Sequence, residues 1–249
     1  MNRFPVTPAA TRIFRGYARQ DLQEAAFLKE LGEVFMPGTP WMLRDLGLAA
    51  YIPALVPRGA EQDVPDEVAI IAYASEERYE ARDQTLTGRL YGHTHRGVFD
   101  MARSHSVRPV PLGTFEGPVT GFALRTTSVD WQVDGDVFVY VGERRDAASG
   151  TFGQEAIAAL TSLAMPRLIQ CLGQVSTTWI ACWFLVEADS NDPAAAIRST
   201  LGAAGVPSRE LMLERASRLI WRDAPPPAPA ARGGAWTYVF ERAPAQFLA

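Results

Sequence analysis

Lysine is almost missing from this chain of 249 residues: Lys29 is the only one, and the remaining basic residues are arginine. Acidic residues outnumber basic ones by 28 to 24, leaving a net charge of −4. No basic stripe is therefore present to serve nucleic acid or an anionic membrane. Two cysteines, Cys171 and Cys182, are too few to staple a chain of this length, and both lie in apolar stretches where a buried, inert thiol is expected. No apolar run reaches the 18 residues a membrane helix needs, and "MNRFPVTPAATRIF" lacks the apolar centre of a secretory leader. A soluble, cytoplasmic protein is expected. Histidine is nearly as scarce as lysine, and all three copies, His93, His95 and His105, fall within "RLYGHTHRGVFDMARSHS" (89–106). Imidazole titrates near neutral pH and is the commonest metal ligand, so this cluster is the first place to look for chemistry.

Apolar residues make up 47% of the sequence, enough for a sizeable core. "TRIFRGYAR" (11–19) reads as a strand. "DLQEAAFLKELGEVF" (21–35) reads as a helix with Asp21 and Glu24 in a capping box, broken by Pro37, Gly38 and Pro40. "LAAYIPALVP" and "EVAIIAYAS" are two further strands. A second helix opens at Ser75 and runs into the histidine segment, with Gly88, Gly92 and Gly97 as places where it bends or divides. Extended "SVRPVPLGTF" and "VTGFALRTT" close the first half, and "RTTSVDWQVDGD" reads as a linker turning at Asp134-Gly135.

The second half repeats the order. "DVFVYVGERR" is a strand, "TFGQEAIAALTSLAM" a helix, "RLIQCLGQV" and "TTWIACWFLVEA" a hairpin, and "DPAAAIRSTLGAAG" a helix with an Asp cap. "SRELMLERASRLIW" is expected to extend the helical layer, "APPPAPAARGG" (224–234) to be a loop without packing capacity, and "AWTYVFERA" to be the last strand. "GERRDAASGTFG" looks superficially like an anion loop but lacks the lysine and spacing of a phosphate loop.

The expected architecture is α+β: two ferredoxin-like βαββαβ units in tandem, residues 10–126 and 127–249, with their sheets packed as a pseudo-dimeric α/β barrel and a cavity between sheet and helix layers. No histidine follows position 105, so the first unit would carry the chemistry and the second would be a scaffold.

With that order in place, "EVAIIAYASEERYEA…LYGHTHRGVFD" resembles the dimeric α/β-barrel superfamily, whose stress-responsive and polyketide-cyclase branches carry a strand, an "F-x-S"-like helix start and an "HPxH-x-x-F" segment. Tyr73 and Ser75 fall at the strand end and helix cap, His95 on the second histidine and Phe99 on the nearby aromatic. Gly92 stands in place of the first histidine, and Thr94 is near the proline position. The resemblance covers about residues 65–110 and implies a fold shared by cofactor-free cyclases, small monooxygenases and isomerases, with haem enzymes among tandem relatives. Fold alone does not select among these.

Helical spacing places Tyr91, His95 and Phe99 on one face and His93, Arg96 and Asp100 on another. His93 and His95 then point apart, and no cysteine or second histidine cluster completes a metal site; a distant carboxylate such as Asp83 would have to be recruited, so no metal is expected. The catalytic candidates are His95 as general acid or base, Tyr91 one turn away as donor, and His93 and Arg96. Arg96 or Arg89 could hold an enolate or carboxylate. Phe99, Trp41, Arg89 and Tyr73 are the expected substrate contacts, although Trp41, like Trp179, Trp183 and Phe184, also suits plain core packing. His105 is expected in a loop.

The function these residues support is an enzyme acting on a small apolar molecule, polyketide-like or aromatic, by acid–base chemistry (cyclisation, isomerisation, elimination or oxygenation) without an organic cofactor. The alternatives are a haem enzyme with one of the three histidines as axial ligand, and a non-catalytic barrel that binds an apolar ligand. A homodimer is a further expectation.

Overall fold

The computed structural model describes residues 10–60, 63–112, 120–126, 128–144, 152–161, 167–188, 191–203, 209–228 and 231–240. The chain is α+β with mixed sheets. In the first half, β1 (Thr11–Gly16), β2 (Leu48–Leu55), β3 (Glu67–Tyr73) and β4 (His105–Val107) form an antiparallel sheet in the order β2-β3-β1-β4. Helices α1 (Glu24–Lys29), α2 (Met36–Leu43), α3 (Glu76–Arg82) and α4 (Leu86–Val98) occupy the two crossovers.

In the second half, β7 (Asp136–Glu143), β8 (Leu168–Val175), β9 (Trp179–Val186) and β10 (Arg209–Arg215) repeat the order as β10-β7-β9-β8, with α5 (Phe152–Thr161) and α6 (Pro193–Ala203) in the crossovers. Two short strands, β5 (Pro109–Pro111) and β6 (Thr120–Ala123), extend this sheet to six. They precede residue 127, so the second sheet borrows strands from the stretch assigned by sequence to the first unit. The likeness between halves is one of strand order, fourth-first-third-second, in each.

Both sheets are covered on both faces, which is why their strands read as near-continuous apolar runs. Along β9 the odd positions Trp179, Ala181, Trp183 and Leu185 join the core shared with the first sheet. The even positions Ile180, Cys182, Phe184 and Val186 pack in a second core with Ala156, Ala159 and Leu160 of α5 and Ile197 and Leu201 of α6. Across the sheets, the Trp183 indole donates to the carbonyl of Ile52 at 3.2 Å. In the first sheet the row Phe14–Ala69–Pro53 turns to the helices, because Phe14 packs edge-on against His95 and Phe99 of the α4 end. The row Ile13–Ile70–Ile52 therefore turns to the second sheet.

Five sequence expectations are corrected. The first helix does not stop at Pro37: it passes through a π-helical turn (Glu30–Phe35) into α2. The amide of Met36 reaches the carbonyl of Leu31, five residues back, so Pro37 enters at the start of a fresh α-register where a missing N–H is tolerated. Thr39 donates its hydroxyl to the carbonyl of Phe35 at 3.0 Å beside Pro40. Asp21 also does not cap this helix; Gln23 is the cap residue, and Asp21 pairs with Arg19 at 2.9 Å.

The histidine helix divides between Arg82 and Leu86, not at Gly92 or Gly97. Ser75 and Thr85 each cap a separate helix by accepting from the amide three residues on. A Cβ on Gly88 would lie 2.0 Å from the carbonyl oxygen of Arg82, so the close turn requires glycine. "SRELMLERASRLIW" is strand, not helix: β10 continues into β11 (Ser217–Trp221), which pairs in parallel with β12 (Trp236–Phe240). Finally, the proline-rich loop is tethered. Ala228 is buried and donates to the carbonyl of Gly32, and Arg232 grips Glu24 at 2.7 Å and Asp66 at 2.6 Å. The loop thereby delivers β12 to the edge of β2, where Leu55 and Gly233–Gly234 exchange backbone hydrogen bonds. The segment 145–151, which holds most of the glycine-rich "GERRDAASGTFG", lies outside the described residues.

Candidate functional site

α4 lies over the helix-facing side of the first sheet, and its one buried stripe comprises Gly88, Tyr91 and Val98. His95 sits on that stripe, half-buried. Four rings surround its imidazole: Tyr91 at 4.7 Å, Phe35 at 4.8 Å, Phe14 at 5.5 Å and Phe99 at 6.3 Å between centroids. Phe35 comes from the π-helical turn, so the irregularity that carries the helix past Pro37 also aims this ring at His95. Such turns recur at functional sites. Phe99 is held because Gly16 leaves room for it: a Cβ there would lie 2.5 Å from the Phe99 ring.

The His95 Nδ1 stands 3.1 Å from the carbonyl of Tyr91, which only accepts. The bond therefore assigns the proton to Nδ1 and leaves Nε2 with a lone pair. Burial pushes the imidazole down to about 4, against the Tyr91 carbonyl bond, which favours the cation. At neutral pH His95 is an uncharged acceptor. The Tyr91 hydroxyl is buried and shares a 3.3 Å hydrogen bond with Thr39, and burial raises it far above the ordinary tyrosine value.

Deeper along the same face lies a group that the sequence analysis did not single out. Glu67, the first residue of β3, is fully buried. Its Oε1 accepts from the Tyr51 hydroxyl at 3.0 Å, while Oε2 has no hydrogen-bond partner. Tyr51 stacks on Tyr238 of β12 at 5.7 Å, and the buried Tyr238 hydroxyl is also without a partner. Burial lifts the Glu67 carboxyl to about 8, opposed only by the Tyr51 bond, so it holds its proton at neutral pH. Tyr51, Tyr238 and Tyr91 each feel the charge of Glu67, and burial drives all three upward. Tyr73 is buried at the other end of β3, raised to about 12 by burial, beside Arg82.

The other sequence candidates lie elsewhere. His93, Arg96 and Arg89 are exposed on the outer side of α4, and Arg89 donates to the carbonyl of Gln84. Trp41 is 57% exposed and stacks on Trp221 at 5.8 Å, away from the imidazole. His105 is in a strand, not a loop, and accepts from Arg15 at 3.2 Å. The structure thus brings together His95, Tyr91 and Phe99 and adds Phe14 and Phe35, while Glu67, Tyr51 and Tyr238 form a second buried group on the same sheet face whose charge reaches Tyr91. Cys171 and Cys182 are buried in the second core, and burial raises the Cys182 thiol. Among the described residues no group of three or more His, Cys, Asp or Glu side chains is placed to hold a metal, and no helix is long and apolar enough to cross a membrane.

The two perturbed groups have opposite consequences for stability. The native state keeps the Glu67 proton up to about pH 8, while the unfolded chain loses it near 4.5. Between those values the native state binds more protons, so stability falls as pH rises, by about 5 kcal/mol in full. His95 works on the acid side: the unfolded chain takes up a proton near 6.5 and the native state only near 4, so stability falls as pH drops through that window. Glu67→Gln is therefore expected to flatten the alkaline decline in urea titrations between pH 5 and 9 and leave the acid decline in place. An unchanged alkaline slope would show that Glu67 is not buried as a neutral acid.

No protein-family model matches this chain, and no curated protein matches it. Among solved structures it is similar to one described as a candidate monooxygenase from Fusobacterium nucleatum subsp. nucleatum (9% identity, 82% of this chain and 93% of that one, TM-score 0.40). It is also similar to a candidate monooxygenase from Lactobacillus acidophilus (8% identity, 77% and 80%, TM-score 0.34). A third is an anthrone oxidase-like protein (9% identity, 78% and 82%, TM-score 0.37). At these identities and TM-scores the likeness carries no inference about activity or substrate.

Proposed function

We propose that the two halves are fused ferredoxin-like units, and that the chain is an enzyme that binds a small apolar, aromatic or polyketide-like molecule between the first sheet and its helices. His95 would act there as general base. The observation that supports this reading most is the state of the imidazole: neutral, tautomer fixed by Tyr91, Nε2 left as acceptor, and ringed by Phe14, Phe35, Tyr91 and Phe99. An apolar lining with few oriented polar groups is the usual make-up of a small-molecule site. Burial keeps this imidazole unprotonated at neutral pH while making it a weaker base than free imidazole, and in the proposed reaction it takes a proton from a phenol or from a carbon next to a carbonyl, the first step of cyclisation, isomerisation, elimination and cofactor-free oxygenation alike.

The reaction proposed needs no organic cofactor. The same Nε2 is the atom an axial haem ligand would use, so the absorbance spectrum of the purified protein is the experiment that separates the two. A spectrum without a Soret band, together with turnover of an enolisable aromatic ketone, is the expected result. A stoichiometric Soret band that disappears in His95→Ala would replace this reading with the haem one.

A further inference from the structure

We infer that Glu67 and Tyr238 form an oxygen-binding pole on the helix-facing side of the first sheet, and that the ligand is an apolar molecule presenting a carbonyl or phenol oxygen. This rests on the ligand site proposed above between the first sheet and its helices, called the chamber below. Glu67 Oε2 and the Tyr238 hydroxyl are fully buried polar atoms without partners, brought near each other by Tyr51, which donates to Glu67 and stacks on Tyr238. A buried polar atom left unpaired costs free energy, so a pair of them calls for a group that both can bond. Two hydroxyl donors suit one acceptor oxygen.

The charge balance agrees. Among the described residues no cation acts on Glu67, whose carboxyl is shaped by burial and by Tyr51, so it is a neutral donor and not a counter-ion. The titratable groups that feel it, Tyr51 from β2, Tyr238 from β12 and Tyr91 from α4, all keep their protons past the range in which Glu67 titrates. A carboxylate-bearing ligand would find no positive charge acting on Glu67 among the described residues, whereas a ketone or phenol oxygen finds two donors. Arg232, bonded to Glu24 and Asp66, helps hold the loop that leads into β12, so the second half of the chain completes a site whose base lies in the first.

The test compares 2-naphthol with 2-methylnaphthalene, which replaces the hydroxyl by a methyl group of similar size, by fluorescence titration of the full chain. Wild-type protein is expected to prefer the naphthol about tenfold or more at pH 6.5, the value of one well-made hydrogen bond or better. Glu67→Leu and Tyr238→Phe should each erase most of that preference while leaving the methylnaphthalene affinity in place. Glu67→Gln, which keeps the shape and an N–H donor, should retain the preference that Glu67→Leu loses. Equal preference in wild type and both donor-deleting variants would overturn the pole but leave the chamber standing. Failure of either probe to bind, or binding unaffected by His95→Trp, would overturn the chamber reading and the pole with it.

Discussion

Replacing His95 by alanine is expected to lower kcat on an enolisable aromatic substrate by about 10²–10⁴, the usual contribution of one positioned acid–base group. The substitution removes Nε2, the one unprotonated ring nitrogen on the buried stripe of α4, and leaves Tyr91, Phe35, Phe14 and Phe99 as an apolar wall. KM should change far less than kcat, because the rings that hold the ligand remain. Free imidazole added to the variant should restore part of the rate, since the space the ring vacates is the size of the reagent. His105→Ala, on exposed β4, should leave kcat as it was. The acid limb of the wild-type rate profile should lie near pH 4, where His95 takes up a proton, and the alkaline limb near pH 8, where Glu67 gives one up. Full activity in His95→Ala would remove the base from the mechanism.

The second large effect concerns the fold. Trp183→Ala should destabilise the protein by about 3–5 kcal/mol, the usual cost of deleting a buried indole. Trp183 is fully buried on the inter-sheet face of β9, and its N–H reaches across to Ile52 in β2. The variant gives up the packing and leaves the Ile52 carbonyl without that donor. Because the core between the sheets draws on both halves, the loss should appear in one cooperative transition, with the unfolding midpoint shifted and the denaturant slope kept. Two separate transitions, one at the wild-type midpoint, would mean that the halves fold as independent bodies.

Sequence was informative wherever a strand or helix declared itself by local pattern. β1, β2, β3, β7 and the β8–β9 hairpin lie where their apolar runs placed them, and α6 begins at its Asp-Pro cap, with Asp192 accepting from Ala195 at 3.0 Å. It misled where tertiary context overrode a local signal. Pro37 and Pro40 read as breakers, but a π-helical turn changes register and takes them in. Residues 209–221 carry as many charges as an exposed helix would. Their Met212 and Leu213 are nevertheless buried, while the flanking charges stay at the sheet edge.

The site divides the same way. Tyr91, His95 and Phe99 share a face at the four-residue spacing, and that could be read from the letters alone. Glu67 could have been suspected, because it opens the otherwise apolar "EVAIIAY" at the two-residue spacing that puts it on the face of Ala69, Ile71 and Tyr73. Its partners could not. Tyr51 and Tyr238 are brought to it by strand pairing and by an ion-paired loop far along the chain, contacts that leave no mark in local sequence.

With only three histidines, the protein permits a direct observation of the base: histidine-labelled ¹⁵N NMR, recorded from pH 4 to 9 with and without 2-naphthol. His95 is expected as a neutral Nδ1–H tautomer down to about pH 4, with its Nε2 resonance displaced by the ligand while His93 and His105 stay in place. A His95 that titrates near its ordinary value, or a ligand response confined to His93 or His105, would contradict a chamber built around His95.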